Sequence, residues 1–206
     1  DVLTEKEINR SSKLQLLKKS KDEVINAAKH LYKTDKRKQL VYLSPTATEL
    51  NFRRFVRNAR IIHLATHSKG YELYPEQSHI SFAGNSLDTI INDGKLSLVE
   101  IYAIPNRRCD LLVLSSCLSG IGKSYIGEGV ENMPRAFLFA GAKNMIYSLW
   151  ELHDERTYRL MENFYEALSQ NMNYPKALQQ AMINRIKDGK KKTMTKNWAG
   201  FMYYGK

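Results

Sequence analysis

Ile61-Ile62-His63-Leu64-Ala65-Thr66-His67 and Leu111-Leu112-Val113-Leu114-Ser115-Ser116-Cys117 are two short apolar runs, each closing on a residue able to do chemistry. Runs of this length, bounded by small and polar residues, read as buried strands of a parallel sheet. Ser68-Lys69-Gly70 follows the first and Leu118-Ser119-Gly120 the second. In an α/β sheet, sites gather beyond the carboxyl ends of the strands. Neighbouring strands lie only about 4.8 Å apart. If these two are neighbours, an imidazole and a thiol meet at one sheet edge, as a cysteine nucleophile and its base require. Neither run encodes that adjacency. The residues alone therefore leave two readings: a catalytic pair, or a packed cysteine and a hydrogen-bonded histidine.

Outward from these runs, strands and helices alternate. Residues 4–33 carry a charged helical pattern with an imperfect apolar stripe of Leu14, Leu17, Val24, Ala28 and Leu31. Gln39–Leu43 reads as a short strand. Ser44-Pro45 reads as a helix start, with the helix running over Thr46–Asn58. Weak strand signals fall at Ile80–Phe82 and Leu87–Ile91, and Asn92-Asp93-Gly94 marks a turn. Leu98–Ile104 is a short helix stopped by Pro105. Residues 118–129 hold four glycines and read as a flexible loop. Val130–Ala142 is an apolar helix ended at or just after Gly141. Lys143–Leu149 is a strand, Asp154–Gln170 and Pro175–Lys187 are amphipathic helices, and Trp198–Tyr204 is a last strand. The pattern is α/β with a largely parallel sheet covered on both faces. The one boundary signal is the polar break near residue 36. It divides a basic helical segment or linker, 1–38, from a unit spanning 39–206.

The chain has 206 residues, of which 43% are hydrophobic, enough for one core. No apolar stretch approaches the ~18 residues of a membrane span, and the polar start, Asp1-Val2-Leu3-Thr4-Glu5, is no signal peptide. No membrane partner is expected. Cys109 and Cys117 flank one strand, roughly 25 Å apart if it is extended, so they should not pair. A reducing, cytoplasmic setting fits. The net charge of +11 belongs to the chain ends: residues 1–40 hold 11 Lys/Arg against 6 Asp/Glu, residues 185–206 hold 7 against 1, and the middle is balanced. A nucleic-acid reader would carry its charge on a structured face with aromatics nearby. Nucleic acid is therefore not expected as a partner, and Lys190-Lys191-Lys192 reads as a solvated loop.

As chemistry, a thiol attacks as thiolate and needs a base or positive surroundings; His67 is the candidate. The tetrahedral intermediate needs backbone N–H donors, for which the amides of Cys117 and of Ser68 or Lys69 are placed. His63 lies four residues before His67, about 13 Å away along a strand, which disfavours a shared metal. Gly120-Ile121-Gly122-Lys123-Ser124 ends like a phosphate loop but lacks the required upstream glycine. No metal, nucleotide or organic cofactor is expected.

Taken together with Gly127-Glu128-Gly129-Val130, Arg135-Ala136-Phe137-Leu138-Phe139-Ala140-Gly141-Ala142, Ser148-Leu149-Trp150, Phe164-Tyr165, Ala177-Leu178 and Trp198-Ala199-Gly200-Phe201, the two runs resemble the CHAT family of caspase-like cysteine peptidases, relatives of separase. The resemblance implies a caspase-like α/β/α sandwich with a mostly parallel central sheet. It implies peptide-bond hydrolysis with His67 as base and Cys117 as nucleophile, and no metal or cofactor. It makes residues 39–206 the catalytic half of the domain. By similarity with separase, an acid at the floor of the S1 pocket would favour cleavage after a basic residue. Asp154 and Glu151 are the candidates, Asp154 serving equally as a helix N-cap. The family implies a protein substrate such as a gasdermin or another effector in bacterial defence, and an upstream helical-repeat sensor. A catalytically silent scaffold on the same fold is the alternative. Ser68 departs from the glycine common after the catalytic histidine. If that position needs a positive φ, Ser68 costs of order 1 kcal/mol or more.

Overall fold

The computed structural model describes residues 17–34, 39–84, 92–116, 123–125, 129–150, 153–188, 195 and 198–205. At its centre are strands β1 (Ile61–Ala65), β5 (Leu111–Ser115), β8 (Asn144–Ser148) and β9 (Phe201–Gly205), in the order β1-β5-β8-β9. The first three run parallel and β9 is antiparallel to β8. The two decisive runs are adjacent: Ile61 pairs with Leu111 and the register continues to Ala65 with Ser115.

Helices cover both faces, so every residue of β5 is buried. Alternation splits its side chains between two cores. Leu112 and Leu114 pack with Val56, Ile101 and Phe137. Leu111 and Val113 pack with Ala27, Phe164, Tyr165 and Ala177. The first core thus lies under α2 (Glu49–Val56), α3 (Leu98–Ala103) and α4 (Met133–Ala140). The second lies under α1 (Ser20–Thr34), α5 (Asp154–Ser169) and α6 (Tyr174–Lys187). Each buried leucine contributes roughly 1.5–3 kcal/mol. No helix of the described residues is long and apolar enough to cross a membrane.

Local signals set the helix ends. Thr48 caps α2 by accepting the Asn51 N–H, and Ser97 with Glu100 forms a capping box on α3. Asn132 caps α4 by accepting the Arg135 N–H. Gly141 ends α4 at φ 116°, where an added Cβ would meet the Arg107 backbone at 3.0 Å. Gly94, at φ 82°, makes the expected turn.

Some elements differ from the sequence reading. The Ser44-Pro45 bond is cis, and α2 starts at Glu49 because Thr48 supplies the cap. Gln39–Leu43 is irregular, and among the described residues no strand pairs with it. α4 starts at Met133 because Asn132 caps it and Val130 is taken by a strand. The glycine-rich stretch contains an antiparallel hairpin, β6 (Lys123–Tyr125) with β7 (Gly129–Glu131). Its strands are too short for alternation to show. A second small sheet, β2 (Ser68–Lys69), β3 (His79–Ser81) and β4 (Lys95–Ser97), stands beyond the end of β1. The weak signal at Leu87–Ile91 and the helical pattern before residue 17 lie outside the described residues.

Candidate active site

The carboxyl ends of β1, β5 and β8 form one rim, and three serines stitch it. Ser68, just past β1, donates its hydroxyl to Ser116 Oγ, just past β5, at 2.9 Å. Ser148, the last residue of β8, donates to the carbonyl oxygen of Ser116. Ser116 is held from both sides, and both it and Ser148 are buried. A buried hydroxyl must find a partner, and here each partner is the neighbouring strand end.

His67 lies between two anchored stretches. Thr66 Oγ1 donates to the Ser81 carbonyl at 2.6 Å, and the Ser81 N–H donates to the His67 carbonyl at 2.8 Å. At the next residue β2 begins to pair with β3, Ser68 opposite Ile80. The His67 backbone is therefore fixed on both sides, while its ring has no hydrogen-bond partner among the described residues. The hydrogen-bonded pair at His67 and Ser81 makes Ser68–Ile80 a non-hydrogen-bonded pair. That turns the Ser68 N–H away from β3. Among the described residues only Asn171 combines a side chain with a positive φ, so Ser68 stands there without the strain that a glycine-only conformation would impose.

Cys117, the residue bonded to Ser116, lies outside the described residues, as does Glu151. Asp154 is the first residue of α5; the N-cap is His153, so Asp154 does not cap its own helix. One carboxylate oxygen, Oδ2, accepts the backbone N–H of Lys19 at 2.8 Å, tying the start of α1 to the start of α5.

His63 points elsewhere. Its Nε2 lies 2.8 Å from Glu23 Oε1 and its Nδ1 2.7 Å from Tyr165 Oη. Burial holds the Tyr165 phenol well above its usual range, so it stays protonated. A carboxylate only accepts, so the ring donates to Glu23 through Nε2–H. The triad bolts α1, β1 and α5 together. Sequence reasoning had missed it, and also the serine stitches. The signal for the stitches was present: Ser115-Ser116 and Ser148 are the polar closures of otherwise apolar runs.

The geometry has relatives. The family model for the CHAT domain matches residues 6–206. The human (Homo sapiens) tetratricopeptide repeat protein 28 is 34% identical over 95 residues, an alignment covering 46% of this chain and 4% of that protein. The crystal structure of gingipain R (RgpB), an Arg-specific cysteine proteinase, is similar with a TM-score of 0.64 at 12% identity, over 89% of this chain and 41% of that one. The likeness to gingipain is one of caspase-like fold. This chain spans only a small part of the curated relative, and less than half of the solved structure. With its family match running over nearly every residue, on a mostly parallel sheet that sets His67 at one strand end, the chain belongs to the CHAT domain family.

Proposed function

We propose that the chain is a cysteine endopeptidase in which His67 is the base and Cys117 the nucleophile. The observation that supports this most is the pairing of β1 with β5, closed by the Ser68–Ser116 hydrogen bond. It brings the turn after His67 onto the residue bonded to Cys117. The imidazole takes the thiol proton, and the sulfur forms a bond to the scissile carbonyl carbon. The developing oxyanion is met by the N–H groups of Ser68 and Cys117. Collapse breaks the C–N bond, and the imidazolium returns its proton to the departing amine. Water then hydrolyses the thioester, with His67 again taking a proton.

Asp154 and Glu151 are the acids proposed for the S1 floor. A basic P1 residue follows from them, in keeping with the Arg specificity stated for gingipain. The substrate is a protein cut at such a site in the cytoplasm, a gasdermin-type effector of a bacterial defence system being the first to try. The test is cleavage of peptides ending in Arg, Lys or Asp at P1, with the wild type, Cys117→Ala and His67→Ala. Cleavage after Arg or Lys should fall by roughly 10³-fold or more in both variants. Cleavage retained by Cys117→Ala overturns the proposal, and turnover of the Asp peptide alone overturns the pocket assignment.

A further inference from the structure

The small sheet beyond β1 carries the backbone of His67, and its strands β2, β3 and β4 hold only two, three and three residues. Strands this short depend on what packs against them. Ile80 and Leu96 sink one face into the first core. Apolar burial is non-directional, so it does not set where the strands stand along their own length. Directional bonds must do that. β3 ends on Ser81, whose N–H donates to the His67 carbonyl and whose carbonyl accepts from Thr66 Oγ1. Whatever locates β3 therefore locates His67. β3 in turn pairs with β4, from His79 opposite Ser97 to Ser81 opposite Lys95. The Phe82 N–H closes the next pair on the Gly94 carbonyl at 2.8 Å.

Carboxylates grip β4 at both ends. Before its start, the Gly94 N–H donates to Glu49 Oε2 at 3.1 Å. At its end, the Ser97 N–H and hydroxyl donate to Glu100 Oε2 at 2.9 and 2.7 Å. The other oxygen of each carboxylate meets one guanidinium. Arg53 Nε donates to Glu49 Oε1 at 2.7 Å, and Arg53 Nη2 lies 2.6 Å from Glu49 Oε1 and 2.5 Å from Glu100 Oε1. One arginine of α2 thus yokes the two ends of a three-residue strand. Helix ending does not require this. Thr48 already caps α2, and the capping box of α3 is complete without Arg53. Nor is the trio a cheap source of stability, since Glu49 is 2% exposed and burying a charge costs much of what its pairing returns. What it does supply is a fixed geometry.

We propose that Glu49, Arg53 and Glu100 are positioning residues for the reaction: through β4 and β3 they set where His67 and Ser68 stand at the rim. The role rests on the reading of His67 as the base. The three act through the strands rather than on the reacting atoms. The Ser68–Ser116 bond holds the same turn from the β5 side, so the turn is located from two directions.

Arg53→Met keeps the aliphatic stem and removes the yoke. Arg53→Lys keeps a charge but lacks the fork that meets both carboxylates. In hydrolysis of the Arg peptide, kcat of Arg53→Met should fall ~10-fold or more with KM changed less than ~2-fold. Arg53→Lys should recover part of the loss. Ala181→Gly in α6 lowers stability in the opposite layer and should leave kcat unchanged. Native-state hydrogen exchange reads the clamp without any chemistry. In Arg53→Met the amides of Ser81 and Phe82 should accelerate at least ~10-fold more than those of Leu112–Leu114. If Arg53→Met does not fold, Glu100→Gln, which removes one charge at constant shape, decides by the same two readouts. Ser81 and Phe82 accelerating no more than Leu112–Leu114, or kcat falling no further than in Ala181→Gly, overturns the inference. Cleavage retained by Cys117→Ala is a different failure: it overturns the assigned chemistry, and the exchange result still decides whether the yoke holds β3.

Discussion

The hydroxyl of Ser68 donates to the hydroxyl of Ser116 across 2.9 Å, joining the turn after β1 to the end of β5. The bond spans the two segments that carry the proposed base and nucleophile. Ser68→Ala removes it and leaves Ser116 buried with one partner fewer. The stability cost should be about 1 kcal/mol. The catalytic cost should be larger, since small misplacements of reacting groups cost up to ~10²-fold in rate. Peptide hydrolysis should show the loss in kcat with KM little changed, and Ser68→Thr should restore part of it. A loss confined to KM, or none, would remove the positional role.

The two cysteines differ enough to be told apart chemically. Cys109 is fully buried, and its pKa is pushed up to about 12, first by burial and then by the adjacent Asp110. Only the thiolate reacts with an alkylating agent. Native protein at pH 7.5 should take up one iodoacetamide per chain, at Cys117, and the Cys117→Ala variant none. Raising the pH to 9 should leave Cys109 unlabelled, because its thiol stays protonated well beyond that. Peptide mapping by mass reads the outcome; label at Cys109 in folded protein would contradict its burial.

What could be read in advance divides along physical lines. The strands β1, β5 and β8 were legible because a doubly covered parallel strand is a continuous apolar run. Ile61–Ala65 and Leu111–Ser115 are such runs. Gln39–Leu43 has the same composition, but a strand exists only with a partner, and whether one stands beside it is a property of the sheet. The role of His63 was invisible because Glu23 and Tyr165 are 40 and 102 residues away. For His67 and Cys117, the sequence identified the residue types and strand ends. The structure supplied the adjacency of the strands, which no local pattern carries.

The buried triad predicts an ordered set of stabilities. Glu23 is 3% exposed and its carboxylate meets His63 Nε2. His63→Ala would leave the buried Glu23 side chain without that hydrogen bond, at about 1.5–3 kcal/mol, and would also remove the packing of the ring against Tyr165. Tyr165→Phe keeps the ring packed in its core and removes only the phenol oxygen, for about 1–2 kcal/mol. Urea denaturation should therefore rank the wild type above Tyr165→Phe, and that well above His63→Ala. Equal losses would mean that the contact is packing rather than hydrogen bonding.

At the opposite rim, Asp110 bridges the entries to three strands. It accepts from Lys143 Nζ at 2.7 Å, ahead of β8, and pairs with Arg60, ahead of β1. The Lys143 hydrogen bond, with Arg60 aiding and burial opposing, holds its carboxyl below the usual range. The unfolded chain, with an ordinary Asp pKa of about 3.9, therefore takes up this proton first as the pH falls. The stabilisation is complete above about pH 4–5 and is lost as the pH falls through the folded-state pKa. Arg60 and Lys143 are 57% and 59% exposed, so solvent and salt screen the pairs and the effect stays small. Asp110→Asn should lower stability at pH 7, less so in high salt, and flatten the acid limb below pH 4. Denaturation across pH 2–7 measures both, and a variant curve parallel to the wild type throughout would show that the bridge carries no net stability.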